Sequence, residues 1–351
     1  MTLPLSFKHK FAQSNDFSYI RFMKKSLVFI LAAVLFVGCN NEPTSYQVEM
    51  KDFKNQVVTA NMFRMDFKSN EGKDYSDKIK IEINRSYDSA AYLVDYKLIK
   101  TYYYDYQLLI TNLAPGHDYR FRMYINEDGI NSKSDWVEFT TLSDELNFNP
   151  NLEYGSVTDI EGNEYRTITI DSMEWMAENL RVTKFNDGTE LQRFMNHESS
   201  SQQAAAYCFY NDNEGLYGNA YAALYSGSVI DTAINLGKNI CPQAWHIPSV
   251  DEWNKLINKY NPIEKKTLAE KGFRHWIDAD TTYKHDCGFN SIPGGTFKAS
   301  YEGLGTDAYY MSSELNENYR LTVFHHHNAG YHFMQEYTIK VQFVSIRCVK
   351  D

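Results

Sequence analysis

Apolar and polar residues alternate with a period of two through much of the first part of the chain. Met62-Phe63-Arg64-Met65-Asp66-Phe67, Ile79-Lys80-Ile81-Glu82-Ile83 and Tyr106 to Leu113 all read this way. Successive side chains of an extended strand point to opposite faces, so such runs predict strands with one face buried and one in water. The clearest is Tyr119-Arg120-Phe121-Arg122-Met123-Tyr124-Ile125, where Tyr119, Phe121, Met123 and Ile125 share one face and the arginines the other. Trp136-Val137-Glu138-Phe139 closes the series. About seven short strands over about 100 residues, with no helical period, predict a β-sandwich. Ser143 to Glu153 breaks the pattern: it is polar, holds Pro150 and carries little periodicity, which predicts a linker over 143–153.

Beyond that break the signals are mixed. Val157-Thr158-Asp159 and Tyr165-Arg166-Thr167-Ile168 flank Gly162-Asn163, a hairpin signal, and Asn186-Asp187-Gly188 is a turn. Pro248-Ser249-Val250-Asp251-Glu252 predicts a helix start, with Ser249 capping the amide three residues on and Glu252 reaching back. Trp253, Leu256, Ile257 and Tyr260 then share one apolar face, and Asn261-Pro262 stops the helix.

The N-terminus carries a different pattern. Met23-Lys24-Lys25 is a short basic head, and Leu27 to Val37 is an unbroken apolar run closed by Gly38-Cys39. A membrane-spanning helix needs roughly 20 apolar residues, so this run predicts a secretory signal over 23–38 instead. Phe36-Val37-Gly38-Cys39 resembles a lipobox, with an apolar residue three back and a small residue before the cysteine. That identifies Cys39 as the lipid-attachment residue and implies a bacterial lipoprotein anchored to a membrane. Residues 1–22 lack an apolar run of their own, which places the true start at Met23 or makes them an extended n-region. Residues 39–44 read as a polar tether. Asn40, where an aspartate resembles an inner-membrane retention signal, leans towards the outer membrane or cell surface.

Charge and composition narrow the partners. The chain carries a formal net charge of −10, and removal of 1–38 takes away five basic groups and one acid, leaving about −14. Such a surface repels phosphate backbones, so nucleic acid is not an expected partner. Aromatics reach 15%, with 27 tyrosines, so the chain is folded and not a disordered stalk. With Cys39 committed to lipid, Cys208, Cys241, Cys287 and Cys348 remain. They permit two disulfides in any of three connectivities, or four buried thiols.

Two stretches carry family resemblances. Leu113-Ala114-Pro115-Gly116-His117-Asp118-Tyr119, followed by Phe121-Arg122 and closed by Phe139-Thr140-Thr141, resembles the tyrosine corner and final strand of fibronectin type III domains, over 45–142. The resemblance implies a spacer or binding scaffold in which the Tyr119 hydroxyl bonds back to the turn. The second covers 154–351. Gly155-Ser156-Val157-Thr158-Asp159, Trp175-Met176-Ala177-Glu178-Asn179-Leu180, Ala206-Tyr207-Cys208-Phe209-Tyr210-Asn211, Cys241-Pro242-Gln243-Ala244-Trp245-His246-Ile247-Pro248-Ser249, Gly288-Phe289-Asn290-Ser291-Ile292-Pro293-Gly294-Gly295 and Ser345-Ile346-Arg347-Cys348-Val349 resemble the Fibrobacter succinogenes major paralogous domain. This resemblance implies a C-terminal α+β domain akin to C-type lectin-like folds, so the expected class is β-rich and multidomain. In lectin-like folds the last strand returns beside a helix led by a cysteine, which implies Cys241–Cys348 and leaves Cys208 with Cys287. Cys287 stands where such domains more often carry serine or another small residue.

Candidate chemistry is sparse. His325 and His327, alternate residues of His325-His326-His327 with His332 beyond, could converge on a metal while His326 points away. No carboxylate stands beside them in sequence, so a polar strand or loop tip is the ordinary reading and no metal or cofactor is expected. Tyr217, Tyr221, Tyr309 and Tyr310 could stack on sugar rings if exposed. Phe185-Asn186-Asp187 and Tyr210-Asn211-Asp212 only partly echo the calcium loops of lectins. No nucleophile elbow, phosphate loop or HExxH occurs, so no catalytic residue is assigned. An enzyme of the formylglycine-generating type would need a reactive thiol at Cys287 or Cys348. The expected role is a non-catalytic binding module for glycan or protein, with a structural part in a surface complex as the alternative.

Overall fold

The alternating runs of the first part fold as strands whose apolar faces meet. The computed structural model describes residues 50–69, 75–85, 95–102, 105–127, 130–195, 204–260, 267–279, 282, 284–327 and 333–351. The signal, the lipobox with Cys39 and the tether lie outside the described residues, as do Asn261-Pro262 and His332. One sheet orders β1 (Met50–Val58), β2 (Phe63–Ser69), β5 (Asp105–Thr111) and β4 (Asp95–Tyr102) as β1-β2-β5-β4. The other joins β3 (Lys80–Arg85) to β6 (Asp118–Glu127), which also pairs β7 (Ile130–Lys133) and β8 (Val137–Thr140).

Register fixes which side chains share the core. Phe63 stands opposite Ile110, Met65 opposite Leu108 and Phe67 opposite Tyr106, so one face of β2 and β5 is wholly apolar. These residues pack with Phe121, Met123 and Ile125 of β6, closing a β-sandwich. The Tyr119 hydroxyl accepts a hydrogen bond from the Ala114 amide at 2.8 Å, and its ring stacks on Phe139. On the opposite face Arg120 and Arg122 lie over the Trp136 ring at 4.6 and 4.5 Å. Edge strand β1 breaks register twice, with Asp52 and Asn55 at positive φ. Such bulges blunt an edge that would otherwise offer free pairing groups.

The C-terminal region builds two further sheets. One runs β15 (Trp245–His246), β22 (Val349–Lys350), β11 (Met173–Met176), β10 (Glu164–Ile170) and β9 (Gly155–Thr158). The final strand thus returns between β11, near the start of the domain, and β15, with Val349 opposite both Trp175 and His246. The other runs β12 (Gln192–Arg193), β13 (Ala206–Cys208), β14 (Leu224–Ser226), β21 (Phe343–Val344), β16 (Gly294–Phe297), β18 (Asp307–Leu315), β19 (Leu321–His327) and β20 (Phe333–Thr338), with β17 (Tyr301–Leu304) beside β16. The helix Val250–Lys259 carries the expected capping box: Ser249 accepts from the Glu252 amide while Glu252 accepts from the Ser249 amide. Its Trp253 and Leu256 are buried against Trp175, Phe289 and Tyr310. Among the described residues no helix is long and apolar enough to cross a membrane.

The last strand is held by three devices. Cys241 and Cys348 form a disulfide with Cα atoms 6.0 Å apart, the pairing implied by the lectin-like resemblance. Trp175–Val349 pairing is the second. The third is Arg347, fully buried, which donates to Asn179 Oδ1 at 2.9 Å, to the Asn290 carbonyl at 2.8 Å and to the Phe289 carbonyl.

Residues 45–351 form one compact unit, and the segment 143–153 is pinned within it. The Asn147 amide donates to Glu270 at 2.6 Å, and the other oxygen of that buried carboxylate meets buried His275. Met62 of the sandwich packs with Tyr217, Tyr221, Ile277 and Leu304, and the Ala60 amide donates to the Arg274 carbonyl at 2.7 Å. Gly305 makes this approach possible: its φ is +80°, and a Cβ there would overlap the Met62 side chain.

Candidate functional site

Two places gather polar side chains. The first is at one end of the β18–β19 hairpin. Antiparallel register sets Asp307 opposite His327 and Tyr309 opposite His325, so all four occupy one face. His325 Nε2 and His327 Nδ1 each lie 2.6 Å from the same atom, Asp307 Oδ1. The other carboxylate oxygen is held by the Thr306 hydroxyl at 2.5 Å. The far nitrogen of His325, Nδ1, meets Glu336 of β20 at 2.9 Å, and the Tyr309 ring stacks on the imidazole at 4.1 Å. His326 points to the other face, is fully buried and meets Ser291. The convergence of alternate histidines is therefore present, and the missing carboxylate comes from the neighbouring strand.

Burial alone would raise the Asp307 pKa. Hydrogen bonds from His325, Thr306 and His327 outweigh it and lower the value to about 2. For His325, burial favours the neutral ring, yet hydrogen bonds to Asp307 and Glu336 prevail and raise its pKa. Gly303, at φ +75°, lets the preceding turn lie against Asp307; a Cβ there would sit 2.8 Å from that side chain.

The second place is an open hollow of about 400 Å³ lined by Glu161, Asn163, Arg181, Thr183, Phe209, Glu214, Gly218 and Asn219. Its walls come from three separate segments. Glu161 accepts from the Thr183 amide and hydroxyl at 2.5 and 2.6 Å, and Arg181 lies over Tyr165 while donating to the Glu164 carbonyl. Glu214 pairs with Arg193 at 3.3 Å and Arg181 with Glu178 at 3.7 Å, so the charges around the hollow are already matched and, among the described residues, no unpaired cation is offered to phosphate or sulfate. Its donors and acceptors suit a neutral, hydroxyl-rich ligand. Phe209 is only 4% exposed, so the floor offers little ring face for stacking.

The family model for the Fibrobacter succinogenes major domain matches residues 168–350. The chain belongs to this family. No curated protein gives a significant match. The family domain contains the disulfide, the capped helix and the whole Asp307–His325–His327 cluster. Glu161 and Asn163 of the hollow stand just ahead of the matched residues.

Several sequence expectations within the family domain need correction. Tyr217, Tyr221 and Tyr310 are 0–1% exposed and fill the core, so they have no face to offer a sugar. Tyr310 donates to Ser291, and Tyr217 donates to Asn112 of the sandwich. Tyr309 is half-buried, and its ring already stacks on His325. Cys208 and Cys287 are free thiols and do not pair. They belong to separate clusters, Cys208 with Phe194, Phe297 and Phe343, and Cys287 with Trp253, Leu268 and Phe289. Burial pushes the Cys287 thiol up to about 12 and raises Cys208 as well, opposite to what a reactive thiolate needs. Cys348 is committed to the disulfide. Of the residues that sequence reasoning missed, Asp307 and Glu336 matter most, and each reaches the site from a neighbouring strand.

Proposed function

We propose that the chain is an exported bacterial lipoprotein, anchored through Cys39, whose family domain binds a neutral glycan without transforming it. The observation that carries this reading is the hollow, where polar groups from three segments converge beside an aromatic edge. Within this reading 45–142 is a fibronectin type III-like spacer. The two-sheet sandwich, β1-β2-β5-β4 against β3-β6 with β7 and β8, and the bond from the Ala114 amide to the Tyr119 hydroxyl support it. The return of the last strand beside Cys241, and the bridge there, support a C-type-lectin-like architecture for 154–351. A glycan array probed with residues 45–351 tests the binding role. Selective retention that Arg181→Ala and Asn219→Ala both abolish is the expected result. Retention untouched by either variant would move the ligand elsewhere.

A second reading, a structural part of a surface complex, draws on edge strand β20, where Met334 and Tyr337 are 48% and 52% exposed. Silence across the array together with co-purifying envelope proteins, lost on Met334→Glu, would favour it.

A further inference from the structure

We propose that Asp307, His325 and His327 form a binding site for one divalent transition-metal ion of the zinc class. One ligand atom from each residue lies within 4.8 Å of the other two. Two imidazole nitrogens already aim at a single carboxylate oxygen, both at 2.6 Å. A tetrahedral ion with bonds of about 2.0–2.2 Å needs its ligands roughly 3.4 Å apart, so each side chain must yield by less than about 1 Å.

The surroundings distinguish the cluster from a chance surface ion pair, because two of its three ligands, His325 and Asp307, are held from behind. Metal-bound histidines almost always present their second nitrogen to a carboxylate or carbonyl, which fixes tautomer and ring angle. His325 does so with Glu336 at 2.9 Å, and Tyr309 fixes the ring plane. Thr306 holds Asp307 Oδ2 and so leaves Oδ1 directed at the two rings. All three ligands stand on paired strands of one sheet, where register fixes their spacing. The His325 and Asp307 side chains are 11% and 13% exposed, whereas His327 is 52% exposed. An ion can therefore enter from the His327 side and keep a coordination position open to water or an outside ligand.

Donor chemistry selects the ion. Two imidazoles and one carboxylate suit zinc, ferrous iron, cobalt or nickel; calcium and magnesium prefer all-oxygen shells. The site stands apart from the glycan hollow, and neither proposal depends on the other.

The test uses the full-length chain made without a histidine tag and stripped with a chelator. Zinc titration by calorimetry is expected to show one ion per chain, and cobalt substitution to give visible d–d absorption. His327→Ala changes a half-exposed side chain, so the fold should survive, and circular dichroism checks that it does. His327→Ala and Asp307→Asn are each expected to weaken zinc by at least about 100-fold, and Glu336→Gln by roughly 10–100-fold. No binding up to millimolar zinc, or wild-type affinity and cobalt spectrum in His327→Ala, would overturn the proposal.

Discussion

Arg347→Met is expected to destabilise the family domain by about 3–5 kcal/mol, comparable to stripping one partner from a buried charged network. The arginine is fully buried and lies over the Phe289 ring at 4.5 Å. Burial lowers its pKa, but a guanidinium keeps its proton in any protein. Methionine would fill much of the aliphatic space while leaving Asn179 Oδ1 and the carbonyls of Phe289 and Asn290 without these donors. Each acceptor so abandoned costs roughly 1–3 kcal/mol. Relief from burying a cation offsets part of that sum, which brings the net down to the stated range. Scanning calorimetry at matched pH reads it as a fall in Tm of roughly 6–20 °C, taking about 2–4 °C per kcal/mol for a domain of this size. Arg347→Lys should recover only part of the loss, because one ammonium cannot serve three acceptors spread around a planar fork. A loss below about 1 kcal/mol for Arg347→Met would refute the reasoning and mean that these acceptors find other donors.

Three further outcomes follow from the same structure. Tyr119→Phe removes the hydroxyl that accepts from the Ala114 amide and should destabilise the sandwich by roughly 1–3 kcal/mol in denaturant titration. Replacing Cys241 and Cys348 together by Ala opens a bridge spanning 107 residues, with a loss of up to about 4–5 kcal/mol in the chain-entropy model. A non-reducing peptide map that joins Cys208 to any partner would contradict the pairing. For His246, burial opposes the charged ring, but Asp351 at 2.7 Å and Glu252 at 3.1 Å outweigh it and raise the folded pKa above 6.5. Its stabilising contribution is therefore fully present below pH 6.5 and fades as pH rises through the folded value; the stability gap between wild type and His246→Gln should shrink over that window.

The core of the sandwich was legible because β2, β5 and β6 alternate cleanly between fully buried and partly exposed positions. Edge strands β1 and β4 were not: their faces are mostly solvated, and Asp95, Tyr96 and Lys97 at the start of β4 are all exposed. Without a buried face there is no period to read. The capping box at Ser249 and Glu252 was legible for the opposite reason, since its whole chemistry lies within four residues. Tyrosine clusters misled because composition says nothing about exposure. Tyr217 and Tyr221 fill the junction with the sandwich as large buried rings, and Tyr217 also donates its hydroxyl to Asn112.

The metal-type cluster shows where sequence reading stops. Alternation alone put His325 and His327 on one face, but finding their carboxylate required knowing the register of β18 on β19. That register is not simply inherited from the turn. Near the turn Leu315 faces Leu321, whereas beyond the irregularity Met311 faces Val323 and Asp307 faces His327. Had the turn register continued unbroken, Asp307 would stand opposite a position two residues beyond His327. At about 3.4 Å per residue it would be displaced by roughly 7 Å, out of reach of His325. The register shift between Met311 and Leu315 thus sets the geometry of a site four residues away. A change that removed it would part Asp307 from His325 and His327 without touching any of the three.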